Sequence, residues 1–234
     1  MSEAVPRWGL LIGVLFVGLL GGVAASQPTV AKAPPEPVCG VCTDALDEAA
    51  DERGVALERE ESRTDIRLHA NGSAEFVARV TLATGTDRLT NASLREAIVR
   101  DVSYIVAEER THLRTAIEGQ TLVVRYRSPT VAHTTLGVVR FDAFRTRGAP
   151  PLAIGGEGSP YPGTDRLMLH APATYQVYGS HGAASNETTV VWYRADHERY
   201  AGGIKEDQTI AFVPADARLP RVRVRLAALI DWLA

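Results

Sequence analysis

The sequence predicts an α+β fold: a strand-rich antiparallel sheet domain with a few packed helices, preceded by an N-terminal hydrophobic segment. Three observations carry this expectation. Apolar and polar residues alternate on both sides of Asn71-Gly72, through Ile66 and Leu68 and again through Phe76, Ala78, Val80 and Leu82, which is the period of a half-buried strand. Leu94, Ile98, Val102 and Ile105 recur at helical spacing and form one apolar stripe. Beyond residue 164, short β-type runs at 166–170, 175–178, 188–193 and 208–213 are separated by turn residues, as in a β-rich second half.

The chain opens with an uncharged stretch, residues 8–31. Arg7 and the amino terminus precede a leucine-rich core at 10–20 that ends at Gly21-Gly22, the order of an n-region and an h-region. Val23-Ala24-Ala25 then offers small residues for cleavage before Ser26. The same run exceeds the roughly 20 residues that span a bilayer. Residues 1–25 are therefore either a signal peptide or a retained membrane anchor. Residues 26–38 are rich in proline and read as a tether.

From Thr43 to Arg53 the composition is helical, with acids in the first turn and Gly54 as the stop. The next segment is a hairpin expected to turn through a three-residue loop, Asn71-Gly72-Ser73, setting Leu68 opposite Phe76 and Ile66 opposite Ala78. Ser93 and Glu96 have the spacing of a capping box, so the next helix should start at Ser93 and carry Arg95, Arg100 and Glu108 outward. A second hairpin around Glu118-Gly119 joins 112–117 to 121–127, and 137–145 reads as a strand. The organisation is thus an α+β part at 39–147, a Gly/Pro-rich loop or linker at 148–164, and a β-rich part at 165–234. In the terminal helix Pro220 suits a first helical position, and Val222, Leu226, Leu229, Ile230 and Leu233 share an apolar face. That face either docks on the domain or, flanked by Arg221, Arg223 and Arg225, lies on a membrane surface.

All three asparagines, Asn71, Asn91 and Asn186, stand in Asn-x-Ser/Thr acceptor sites, which predicts glycosylation of an exported chain. With 28 acidic against 25 basic residues and a net charge of −3, a nucleic-acid partner held by a broad basic surface is not expected.

Cys39 and Cys42 form the only cysteine motif, a CxxC ahead of a helix. Thioredoxin-like enzymes use that arrangement to lower a thiol pKa, but their fold leads a strand into the motif, and here a proline-rich tether leads in. The pair is open to three readings: a local disulfide in an oxidising exterior, a redox thiol site, or half of a metal site with His69, His112, His133, His170, His181 or His197. The histidines show no ligand spacing, so no metal or cofactor is assigned. Gly179-Ser180-His181-Gly182 lacks a nucleophile elbow. Gly155-Gly156-Glu157-Gly158 has no following lysine, and Pro160 blocks the helix a phosphate loop needs. Asp196, His197 and Glu198 read as a solvated turn. No catalytic residue is assigned.

The segments CGVCTDALDEAADERG, NGSAEFVARVTL, GQTLVVRY and TDRLMLHAP resemble a group of uncharacterised haloarchaeal exported proteins that carry a leader and sometimes a C-terminal membrane span. The resemblance implies a surface location and no known activity. This chain departs from the group in lacking a C-terminal span and in its modest net charge. The expected function is an extracytoplasmic cell-surface module, secreted or anchored by the N-terminal segment, binding or structural, with a surface protein or glycan as partner. The alternative is an exported thiol-disulfide or metal-binding protein that uses the CxxC pair.

Overall fold

The computed structural model describes residues 37–102, 111–144, 162–182, 184–194, 204 and 208–233. The N-terminal segment, Ile105, Glu108, the Gly155–Gly158 run and the Asp196–Glu198 cluster lie outside the described residues. The protein is α+β, with one mixed and one antiparallel sheet and helices packed on both.

A 3-10 turn, Gly40–Cys42, leads into α1, Asp44–Asp51. Thr43 caps it: its hydroxyl donates to the Gly40 carbonyl at 2.7 Å and accepts from the Ala45 amide at 3.4 Å. Strands β1, Glu58–Leu68, and β2, Ala74–Thr84, then form the long hairpin. Its register is two residues away from the expected one, with Leu68 opposite Ala74 and Ile66 opposite Phe76. The three-residue loop is Ala70-Asn71-Gly72, closed by Gly72 N–H to the His69 carbonyl and His69 N–H to the Ser73 carbonyl. A glycine in the left-handed region belongs at the third loop position, and Gly72 has φ +85°. Because side chains repeat every two residues, a slip of two leaves every one on its expected face.

After a short helix α2, Thr86–Leu89, helix α3 covers Ala92–Val102. It is capped by Asn91, whose Oδ1 accepts from the Leu94 amide at 3.2 Å, and not by Ser93. Arg95, expected outward, is buried. Its guanidinium donates to the Leu89 carbonyl at 2.7 Å and to Thr115 Oγ1 at 2.9 Å, tying α3 to the end of α2 and to the next strand. Those acceptors satisfy the charge that a helical wheel would send to solvent.

Strands β3, Thr111–Glu118, and β4, Thr121–Ser128, form the second hairpin, and β5, Ala132–Thr135, and β6, Val138–Phe141, come next. The rest are β7, Arg166–His170; β8, Tyr175–Tyr178; β9, Ala184–Ser185; β10, Thr189–Tyr193; and β11, Ile210–Pro214, ahead of α4, Pro220–Leu233. A seven-stranded sheet runs β3-β4-β2-β1-β7-β10-β9, and a four-stranded sheet runs β5-β6-β11-β8. Every described pair is antiparallel except β1 with β7. Strands from both sides of 148–164 therefore share each sheet.

One face of the large sheet carries two neighbouring apolar cores. Ala78, Val80, Leu82, Leu122 and Val124 pack with Leu46, Ile98 and Val102 of the helices. Ile66, Phe76, Leu167, Leu169 and Trp192 pack with Val139, Phe141 and Phe212 of the small sheet. Phe144 stands edge-on to both Phe141 and Trp192. Helix α4 rests on the small sheet by a narrow stripe, Ala227 with Val224, packed on Val138, Ala211 and Val213. Its apolar face does not dock: Val222, Leu226, Leu229, Ile230 and Leu233 are exposed.

Candidate functional site

The other face of the large sheet is where charge gathers. Pairing fixes its rows from strand to strand, since paired residues point the same way. Arg166, Arg63 and Arg79 fall in one row, continued by Val123 and Ala116. Asp65 and Val77 lead to Arg125 and Arg114 in the next. His170, Arg67, Glu75 and Arg127 make a third. In these three rows seven arginines meet two acids, Asp65 and Glu75. Val77 and Val123 on this face are buried, as expected where arginine stems lie along apolar carbons and hold their heads in water.

Asp65 is the anchor of the face, its side chain only 4% exposed. It accepts from Arg63 Nε and from Arg79 at 3.2 Å each and from His170 Nε2 at 2.8 Å. Burial pushes its pKa up, but the His170 hydrogen bond and the charges of Arg63, His170 and Arg79 outweigh burial and hold the carboxyl below its ordinary range. Thr189 Oγ1 lies 3.3 Å from His170 Nδ1, so the order is hydroxyl, imidazole, carboxylate. Acyl chemistry there also needs free amides aimed at an oxyanion. The Thr189 amide is already donated to Asn186 Oδ1 at 2.8 Å, and the flanking strands are hydrogen-bonded to one another. The chain of groups holds three strands in register.

At the β3 edge the charge is less matched. Arg114 stands opposite Arg125, and a β-bulge between Thr111 and Arg114 places His112 at φ +58°. Glu75, His112, Arg114, Arg125, Tyr126 and Arg127 line a depression of about 290 Å³. A second of about 440 Å³ shares His112 and Arg127 and reaches Asn71 and Ser128. Ser128 Oγ is buried there and without a partner among the described residues. Arg125 has Glu118 at 3.7 Å, whereas Arg114 and Arg127 have no carboxylate partner among the described residues. Forked guanidiniums in that state are acceptor-seeking and fit carboxylate, sulfate or phosphate.

Of the residues singled out from sequence, Cys39 and Cys42 lie at disulfide distance, with Cα atoms 5.3 Å apart. Both are buried in the helical core, and Thr64 Oγ1 is 3.5 Å from Cys42 Sγ. Asn71, Asn91 and Asn186 are all exposed. Each carboxamide oxygen accepts a backbone N–H two or three residues on, from Ser73, Leu94 and Thr188 respectively. His181 Nε2 is spent on the Tyr178 carbonyl at 3.0 Å and does not meet Ser180. Among the described residues no three His, Cys, Asp or Glu side chains converge as a metal-binding group, and no described helix is long and apolar enough to cross a membrane. The arginine face is not legible in the sequence because its members come from five separated strands.

No family model, curated protein or solved structure matches the chain.

Proposed function

We propose that the protein is an extracytoplasmic cell-surface binding module whose arginine-lined sheet face holds an acidic glycan. The observation that carries the reading is Arg114 standing opposite Arg125 beside Arg127 and an open depression. Like charges directly opposite on a sheet are destabilising, and such a local violation marks a functional position. The apolar N-terminal segment and the three exposed acceptor asparagines support export. The resemblance to haloarchaeal exported proteins points the same way. Recognition rests on a rigid sheet with loops at its edge, and the bound groups are carboxylate or sulfate.

The competing thiol reading draws on Cys39 and Cys42 alone. Redox thiols sit in electropositive, partly exposed surroundings, and these sulfurs sit inside an apolar core.

The test is retention of the full chain, in detergent, on polygalacturonate and heparin resins, eluted with a salt gradient. R114Q/R125Q/R127Q should elute at clearly lower salt than the wild type, while the charge-matched R53Q/R88Q/R218Q, off this face, should not. Far-UV circular dichroism checks that both variants fold. Equal shifts in the two variants, or no retention of the wild type at low salt, would overturn the reading.

A further inference from the structure

Helix α4 is amphipathic the wrong way round for a docked helix. At 3.6 residues per turn, Pro220, Val224, Ala227 and Asp231 form one stripe, and this narrow stripe of small apolar residues ending in one acid faces the domain. Ala227 is buried, and Asp231 accepts from Thr135 Oγ1 at 2.7 Å and pairs with Arg140. Leu229, Val222, Leu233, Leu226 and Ile230 span the opposite arc, all exposed, with Trp232 79% and Leu233 69% accessible. Arg221 and Arg225 border that arc on one side and Arg223 borders it on the other. All three are exposed.

We propose that α4 is a membrane-surface helix, lying in the headgroup layer of an anionic bilayer with Val222, Leu226, Leu229, Ile230 and Leu233 toward the acyl chains. Apolar centre, arginine margins and an exposed tryptophan make up the pattern of an interfacial helix. Charge complementarity selects the occupant. The only acid within the helix, Asp231, is turned inward on Arg140, so the outward surface carries arginine without a counter-charge from the helix itself. A second copy meeting this face about a two-fold axis would bring like patches together and with them two sets of arginines. Anionic headgroups supply the missing charge and the apolar phase at once. This inference is independent of the glycan reading, which rests on the large sheet.

The test reads Trp232 in the full chain. In a W8F background the other tryptophan is Trp192, which is buried. Vesicles of 1:1 phosphatidylglycerol and bromine-labelled phosphatidylcholine should quench Trp232 and shift its emission to the blue; a W232F variant identifies the signal. L226E/I230E should abolish quenching; both side chains are on the exposed face, and far-UV circular dichroism checks that the variant folds. R221Q/R223Q/R225Q should lower Trp232 quenching on the anionic vesicles to near that on pure phosphatidylcholine, through the loss of about 1 kcal/mol of attraction per arginine, whether or not the N-terminal segment holds the chain on the vesicle. Equal quenching in L226E/I230E, or none in the wild type, overturns the proposal. So does Trp232 emission already blue without lipid, whether from a second copy, seen as a dimer by sedimentation, or from another part of the chain.

Discussion

His170 on β7 donates from Nε2 to Asp65 on β1 across the one parallel pair among the described strands, at 2.8 Å. The same carboxylate takes Arg63 from its own strand and Arg79 from β2, so one buried acid links three strands. Without it two arginines and an imidazole would face each other across the sheet.

Asp65→Asn should lower unfolding stability by about 2 kcal/mol at pH 7, the scale of hydrogen bonds to a buried charged group. The folded-state pKa is depressed from its ordinary 3.8. The native state thus binds fewer protons than the unfolded state as the carboxyl titrates, and stability from this group falls as pH falls. The contribution is fully present above about pH 5 and is lost on acidification through the folded pKa. Urea unfolding of wild type and variant at pH 7, 5 and 3 should show curves that separate at the first two and converge toward the third. A gap that is constant with pH would assign the loss to packing.

Replacing both cysteines with alanine should cost about 2 kcal/mol, since a loop of four residues removes little entropy from the unfolded chain. Serine at the same sites should cost more, because both positions are buried in an apolar core and two hydroxyls would enter it. Guanidinium unfolding of the two double variants ranks them. Failure of the alanine variant to fold would mean that the pair closes more than a local turn.

Asn91→Ala should destabilise the protein by about 1 kcal/mol through loss of the α3 cap, while Ser93→Ala should change it by no more than a few tenths. Thermal unfolding of the two single variants is sufficient. The opposite ranking would restore the cap to Ser93. A glycan on Asn91 would bear on the result, because Oδ1 is engaged in the cap and the sugar would join at the neighbouring nitrogen. The comparison belongs on unglycosylated protein.

The strands of the first hairpin are legible from period-two alternation, because each presents one face to a core; the runs 166–170 and 175–178 have the expected bounds. The loop of the first hairpin lies one residue earlier than expected, because the left-handed position that Gly72 fills decides it and the facing of apolar pairs does not. Arg95 departs from expectation, and of the two readings of the α4 face docking is the one that fails, for a shared reason. Arg95 is inward because Leu89 and Thr115 offer acceptors. The leucines of α4 are outward because Asp231 and Ala227 meet the small sheet better. Periodicity finds a helix and its apolar face but does not reveal which partner is available. Net charge hides the arginine face in the same way: an average of −3 is silent on how strands from distant segments align their rows.

Strand β7 sits between β1 and β10, about a hundred residues beyond the strand it pairs with. During synthesis, β1 and β2 can close their hairpin early, but the outer edge of β1 then waits with open N–H and C=O groups. Ile66 and Phe76 wait there without Leu169 alongside and without Phe212 of the small sheet over them. Such edges recruit other strands, and long-range pairing of this kind is slow. Gly163, φ +68°, places its α-carbon where a Cβ would lie 2.4 Å from Pro37, so the approach to β7 also buttresses the segment that leads into the cysteine turn. A truncation product ending before this point would be a sticky half-sheet, and whatever machinery handles the nascent chain must keep that edge covered until the last third has emerged.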